Sequence, residues 1–196
     1  MRIVYVLLLI SLFYRVYAAD PIAYEGSVVL RSGEVMAGRI YIPSFELVFV
    51  ITDDQRLALP IHRISQIRIY DHQLNVNRKF FVQASKESGF VPPVLFEIIL
   101  WGDINVYRKP KQQFVNFSAL DHLDFDYYFE GGDQFEKLEK FSKRLYPIIL
   151  QERGASIIDF IRANDLSPND EVGAIQIIRH YNQSKRSNQM IADLRL

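Results

Sequence analysis

Residues 24–70 constrain the fold most, because five short apolar runs follow one another there with only turn-sized gaps. Residues 27–30 and 35–42 flank Arg31-Ser32-Gly33-Glu34, and a short polar insert with glycine between β-branched runs is a hairpin signal. Gly33 supplies the positive φ that a tight reversal often needs. In the second run, Met36, Gly38, Ile40 and Ile42 fall on one face and Val35, Ala37, Arg39 and Tyr41 on the other. Gly38 inside a strand predicts a bulge or the close approach of another backbone. Pro43 cannot donate to a ladder and ends the run. Residues 47–52 are continuously apolar and suit a strand buried on both faces. Asp53-Asp54-Gln55 is a turn, and residues 56–60 and 65–70 alternate as two more strands through Leu57, Leu59, Ile67 and Ile69. Five strands with short links predict a bent antiparallel sheet or a small, partly open barrel.

Further strands are predicted over residues 78–84 and 94–100, separated by a loop with Gly89 and the Pro92-Pro93 pair. Trp101-Gly102-Asp103 turns the chain, and residues 104–108 pair back in a second hairpin. Residues 109–126 match neither period and are expected to be an irregular connector covering part of the sheet. Residues 127–130 and 134–138 flank Gly131-Gly132-Asp133 as a third hairpin.

From Leu138 the period changes. Leu138, Phe141, Leu145 and Ile149 form the stripe of an amphipathic helix, which Pro147 should kink or split near Tyr146. Residues 156–163 make a second short helix. Ser167 reads as an N-cap, with Pro168 at the first helical position and Asp170 at the third, so the last helix is expected over residues 168–185. Val172, Ile175, Ile178, Tyr181 and Asn182 are its expected buried face, with a frayed tail after Ser184. Strands first and helices last predict an α+β protein. It divides into a β-rich part over residues 19–133 and a helical cap of about three helices over residues 134–196, packed as one compact unit.

Residues 1–18 have the pattern of a secretory signal peptide: Arg2 as a positive start, an apolar run from Ile3 to Tyr14, and Val16-Tyr17-Ala18 before the cleavage point. Cleavage is expected after Ala18, or else after Ala19. An uncleaved membrane anchor is the alternative, but a span needs about 20 apolar residues and Arg15 closes this run early. Loss of Arg2 and Arg15 from 23 basic residues leaves 21 against 23 acidic ones, a net charge near −2. Such a chain has no long-range pull toward nucleic acid or anionic lipid. The chain has no cysteine, which excludes a disulfide scaffold, thiol catalysis and cysteine-ligated zinc. The expected product is exported, periplasmic or secreted, with no membrane span after signal removal.

The run Gly26-Ser-Val-Val-Leu-Arg-Ser-Gly-Glu-Val-Met-Ala-Gly-Arg-Ile, the run Leu95-Phe-Glu-Ile-Ile-Leu-Trp-Gly-Asp-Ile-Asn-Val-Tyr-Arg-Lys and the Tyr181-Asn182 pair together span most of the mature chain. In this order the chain resembles a group of uncharacterised exported proteins of Bacteroidetes-type bacteria. The group has no assigned reaction, so the resemblance implies export and no site residue. The first hairpin is also similar in outline to small barrels of the SH3 or Sm kind, on turn spacing alone.

The chemistry-bearing residues are few. Asp121, His122, Asp124 and Asp126 are the one cluster with suitable ligands for a hard or borderline cation, although neither calcium-loop nor His-Glu-x-x-His spacing is present. A solvated acidic loop has the same composition. Asp71 and His72 are adjacent, and adjacent strand residues point to opposite faces, which argues against an acid–base pair. His62 and His72 flank a predicted strand, and His180, before Tyr181 on the last helix, reads as a partly exposed polar residue. Glu97 sits in an apolar strand, where exposure on a wet face is favoured over burial. Phe80-Phe81 and Tyr127-Tyr128-Phe129 are core residues or, if exposed, a binding platform. No nucleophile elbow, phosphate loop or dinucleotide fingerprint occurs.

The expected function is that of a non-catalytic interaction or binding module for a protein or surface component of the cell envelope, without a cofactor and without nucleic acid. The alternative is a metal-assisted hydrolase built on Asp121, His122, Asp124 and Asp126.

Overall fold

The structure, a computed structural model, describes residues 22–44, 46–83, 93–111, 124–132 and 134–193. Ten strands form one antiparallel sheet: β1 Tyr24–Leu30, β2 Val35–Tyr41, β3 Leu47–Ile51, β4 Arg56–Pro60, β5 Ile64–Asp71, β6 Val76–Gln83, β7 Val94–Leu100, β8 Ile104–Pro110, β9 Phe125–Gly131 and β10 Gln134–Lys137. Their order is β10-β9-β8-β7-β6-β5-β1-β2-β3-β4. β1 to β4 run outward one way, β5 returns to the free side of β1, and β6 to β10 run outward the other way. β4 and β10 are the two edges, so the sheet is open rather than a barrel.

The predicted hairpin forms through Gly33, at φ +90°, with Leu30 N–H donating to the Glu34 carbonyl at 2.8 Å. Gly26 and Gly38 face each other across β1 and β2. A Cβ on Gly26 would lie 2.1 Å from the Arg68 carbonyl oxygen, and one on Gly38 2.6 Å from that of Ile51. The close approach read from Gly38 therefore has a partner in Gly26, and the two permit tight packing of β5 and β3 on either side. β8 and β9 pair to their ends, at Pro110 and Phe125, so the ends of the expected connector 109–126 are strand. Its middle, residues 112–123, lies outside the described residues.

Three helices follow a 3₁₀ turn at Leu138–Lys140: α1 Phe141–Arg144, α2 Tyr146–Ala163 and α3 Glu171–Asp193. The break falls at Leu145, and Pro147 sits in the first turn of α2, where its missing N–H costs no hydrogen bond. The expected separate helix over residues 156–163 is the second limb of α2, bent at Arg153 (φ −143°, ψ 30°) immediately before Gly154.

α3 corrects three expectations. Its cap is Asp170, whose Oδ1 accepts the Gly173 N–H at 2.7 Å, whereas the Ser167 hydroxyl oxygen accepts only the Asn169 N–H at 3.1 Å in a local turn. The helix therefore starts three residues later than the Ser167-Pro168 pattern predicts, and Val172 in its first turn is 65% exposed. The buried stripe is Ala174, Ile177, Ile178 and Tyr181, together with Asn182. The expected frayed tail is helix as far as Asp193, because Lys185 and Arg186 are tied to the rest of the molecule.

Two apolar cores lie on the sheet. One is built from β1 to β7, with Val28, Ile40, Val50, Ile67, Phe80 and Leu95 among its members. The other packs Ile104, Val106 and Phe129 of β8 and β9 against Phe141, Leu145, Ile149, Ile157 and Ile178 of the helices.

Candidate binding site

The acidic cluster read from the sequence is only partly described. Asp121 and His122 lie outside the described residues. Asp124 is exposed, with its carbonyl accepting the Lys111 N–H at 2.9 Å. Asp126, on β9, has its carboxylate 3.8 Å from Lys137 Nζ. Among the described residues no three metal-ligating side chains converge.

The three described histidines stay apart. His62 is exposed on the 3₁₀ turn after β4, and its carbonyl accepts Arg31 Nε–H at 2.8 Å. Asp71 is buried while His72 is exposed beside Glu25, so the pair splits as strand geometry requires. His180 stacks on Phe160 at 4.0 Å, and its Nε2 lies 3.3 Å from the Ser156 hydroxyl.

Glu97 is buried, against expectation. Val28, Ile67, Phe80, Glu97 and Arg108 are successive register partners from β1 to β8, so Glu97 shares the core face with Ile67 and Phe80. Both faces of β7 are apolar, and alternation alone could not choose between them. Arg78 holds the carboxylate by two hydrogen bonds, from Nε at 2.8 Å and Nη2 at 2.9 Å, and Arg108 Nε adds a third at 2.7 Å. Arg78 Nη1 also reaches Asp71 at 3.2 Å. Burial works against the Arg78 charge, but Glu97 and then Asp71 hold its pKa above the usual value. Every charge in this row is paired, so it ties four strands together and offers no reactive group.

The aromatic runs split between the two faces of the sheet. Phe80 and Phe129 enter the cores. Phe81, Phe96, Tyr107, Tyr128 and Phe135 stack on one another on the opposite face, with centroids 4.5–5.7 Å apart. Phe96 and Tyr107 are buried within that layer. The Tyr107 hydroxyl donates to Glu130, and burial followed by this carboxylate pushes its pKa well up. The layer is packed against itself rather than presented as a platform.

The site that sequence reasoning missed is the β7–β8 turn under α3. Asn182 grips Ile104 by both backbone groups: its Oδ1 accepts the N–H at 3.1 Å and its Nδ2 donates to the carbonyl at 2.7 Å. Gly102 lies flat against this amide, and a Cβ there would be 2.5 Å from Asn182 Cγ. Arg186 Nη2 donates to the Trp101 carbonyl at 2.9 Å. Lys185 Nζ bridges Asp103 at 3.1 Å and Glu152 at 3.2 Å, and the Tyr181 hydroxyl donates to Glu152 at 2.5 Å. The hydrogen bond from Tyr181, then the one from Lys185, lowers the Glu152 pKa, whereas burial raises that of Tyr181. Lys185 is held above its usual value, first by its hydrogen bond with Tyr181.

α3 thus holds the Trp101 carbonyl and the turn that follows it, yet Trp101 is 64% exposed. Beside it lies a cavity of about 250 Å³ lined by Leu100, Trp101, Arg179, Asn182, Gln183 and Arg186. The sequence carried a signal for it. Arg179, Asn182, Gln183 and Arg186 stand at spacings of three, four and seven, a polar stripe running beside the apolar one on the last helix. Comparison with protein families, with curated proteins and with solved structures returned no match.

Proposed function

We propose that the protein is an exported, non-catalytic binding module that holds a protein or surface component of the cell envelope through the Trp101 site. The observation that carries this reading is the exposed indole on a turn clamped by Asn182 and Arg186. A large aromatic side chain on a backbone that is already fixed leaves less to order on binding and offers much apolar area. The groups with shifted pKa values support the non-catalytic part. The phenols of Tyr107, Tyr128 and Tyr181 are raised, Lys185 is raised and Glu152 is lowered. Each is moved further into its neutral-pH form, whereas a general acid or base is tuned toward the working pH. The apolar leader over residues 1–18 and the resemblance to exported Bacteroidetes-type proteins support export. Among the described residues no helix is long and apolar enough to cross a membrane.

The test is an affinity pull-down from the native envelope fraction with the mature chain from Ala19, run beside its Trp101→Ala variant. A component retained by the first and lost by the second is the expected result. Identical retention by both chains would remove Trp101 from the function.

A further inference from the structure

Resting on the reading of Trp101 as the binding site, we propose that its cavity takes a single carboxylate-bearing sugar ring, a uronic-acid unit of an envelope glycan. Arg179 and Arg186 both line the cavity, and among the described residues neither has a carboxylate partner. Arg186 spends one N–H on the Trp101 carbonyl, which fixes the guanidinium and leaves further donors. Two guanidiniums without counter-charge favour an anion, and their planar forks match a carboxylate in bidentate fashion.

The rest of the lining decides what carries that carboxylate. Trp101 and Leu100 are apolar, Gln183 is a planar amide, the Asn182 amide is committed to Ile104, and among the described lining residues none is acidic. A pyranose has an apolar C–H face that stacks on an indole and hydroxyl edges that suit planar amide and guanidinium groups. At about 250 Å³ the cavity falls below the range of about 300–1,000 Å³ common for larger ligands, which fits one ring rather than a folded peptide segment. The clamp on Gly102 and Asn182 means that the site needs little ordering on binding.

Trp101 is the only tryptophan in the chain, so tryptophan emission, excited selectively over the tyrosines, reports on this cavity alone. The mature protein is titrated with methyl glucuronide, methyl glucoside, acetate, inorganic phosphate and a short acidic peptide. A saturable change is expected with the glucuronide alone. Arg179→Ala, at an exposed position, should weaken it about tenfold, the loss of one charge-assisted contact. An equal response to the glucoside would overturn the role of the arginines. An equal response to acetate or phosphate would overturn the role of the ring, leaving an oxyanion site. A response to the peptide without one to the glucuronide, or no response at all, would overturn the proposal. Trp101-dependent retention of an envelope component with no glucuronide response would leave the binding-module reading standing and end this ligand class. A saturating glucuronide response with Trp101-independent retention would do the reverse.

Discussion

Asn182 of α3 completes both backbone hydrogen bonds of Ile104 at the start of β8, at 3.1 Å and 2.7 Å, across a sequence separation of 78 residues. A side-chain amide here takes the place of a neighbouring strand. It is the polar joint between the helices and the sheet, and it positions Trp101 three residues before Ile104.

Replacing Asn182 with Ala leaves a buried N–H and a buried carbonyl without partners. The expected loss is about 2–6 kcal/mol, since each of the two unsatisfied groups costs about 1–3 kcal/mol. Asn182→Asp restores the acceptor but not the donor and should lie near wild type in size yet remain destabilised. Urea unfolding of the three proteins measures this, and equal midpoints would mean that the joint contributes nothing.

Glu97→Gln removes the charge that holds Arg78 and Arg108 while leaving both arginines in place. Breaking a buried ion pair in this way is expected to cost about 3–5 kcal/mol. Arg108→Met should cost less, because Arg108 is partly exposed and Arg78 still pairs with Glu97. A thermal scan of both variants gives the order directly.

The clamp on the Trp101 turn has a pH window. Glu152 is lowered in the folded state, so its contribution is present above the unfolded value of about 4.3 and is lost as pH falls through the folded pKa. Lys185 is raised, so its contribution is full below about 10.4 and fades only above that. Both groups are substantially exposed, so the effect on overall stability is small. Trp101 fluorescence is expected to stay level between these limits and to change below the carboxylate range. A transition near neutral pH would contradict the assignment.

Gly26→Ala drives a methyl group toward the Arg68 carbonyl and should cost about 1–3 kcal/mol through displaced strands. Gly154→Ala on α2 meets nothing within 4 Å and should raise stability by about 0.5–1 kcal/mol. Denaturation midpoints moving in opposite directions would bear out the close approach of β1 and β5.

Metal analysis of purified protein is expected to find no bound metal, and calcium, zinc or manganese should leave the melting temperature unchanged. Asp126 is already beside Lys137, and no three ligands converge among the described residues. A stoichiometric metal with a thermal shift would move the function to the hydrolase built on Asp121, His122, Asp124 and Asp126.

Local chemistry alone determined much of this protein. All ten strands were legible, because Gly33, Asp53, Gly102 and Gly132 punctuate runs whose β-branched and aromatic content suits a pleated sheet. The split at Leu145 followed from Pro147, which cannot donate inside a helix. Tertiary structure decided the rest. The order in which β5 returns to β1 set the row containing Glu97, and only that register shows that the carboxylate is buried with two arginines. The start of α3 passed from Ser167 to Asp170, where the first turn could satisfy its amides and pack Gly173 against Ser167. The Trp101 site joins residues about 80 positions apart, through contacts that no local period records. Periodicity is a property of neighbours along the chain, whereas a binding cavity is a property of neighbours in space.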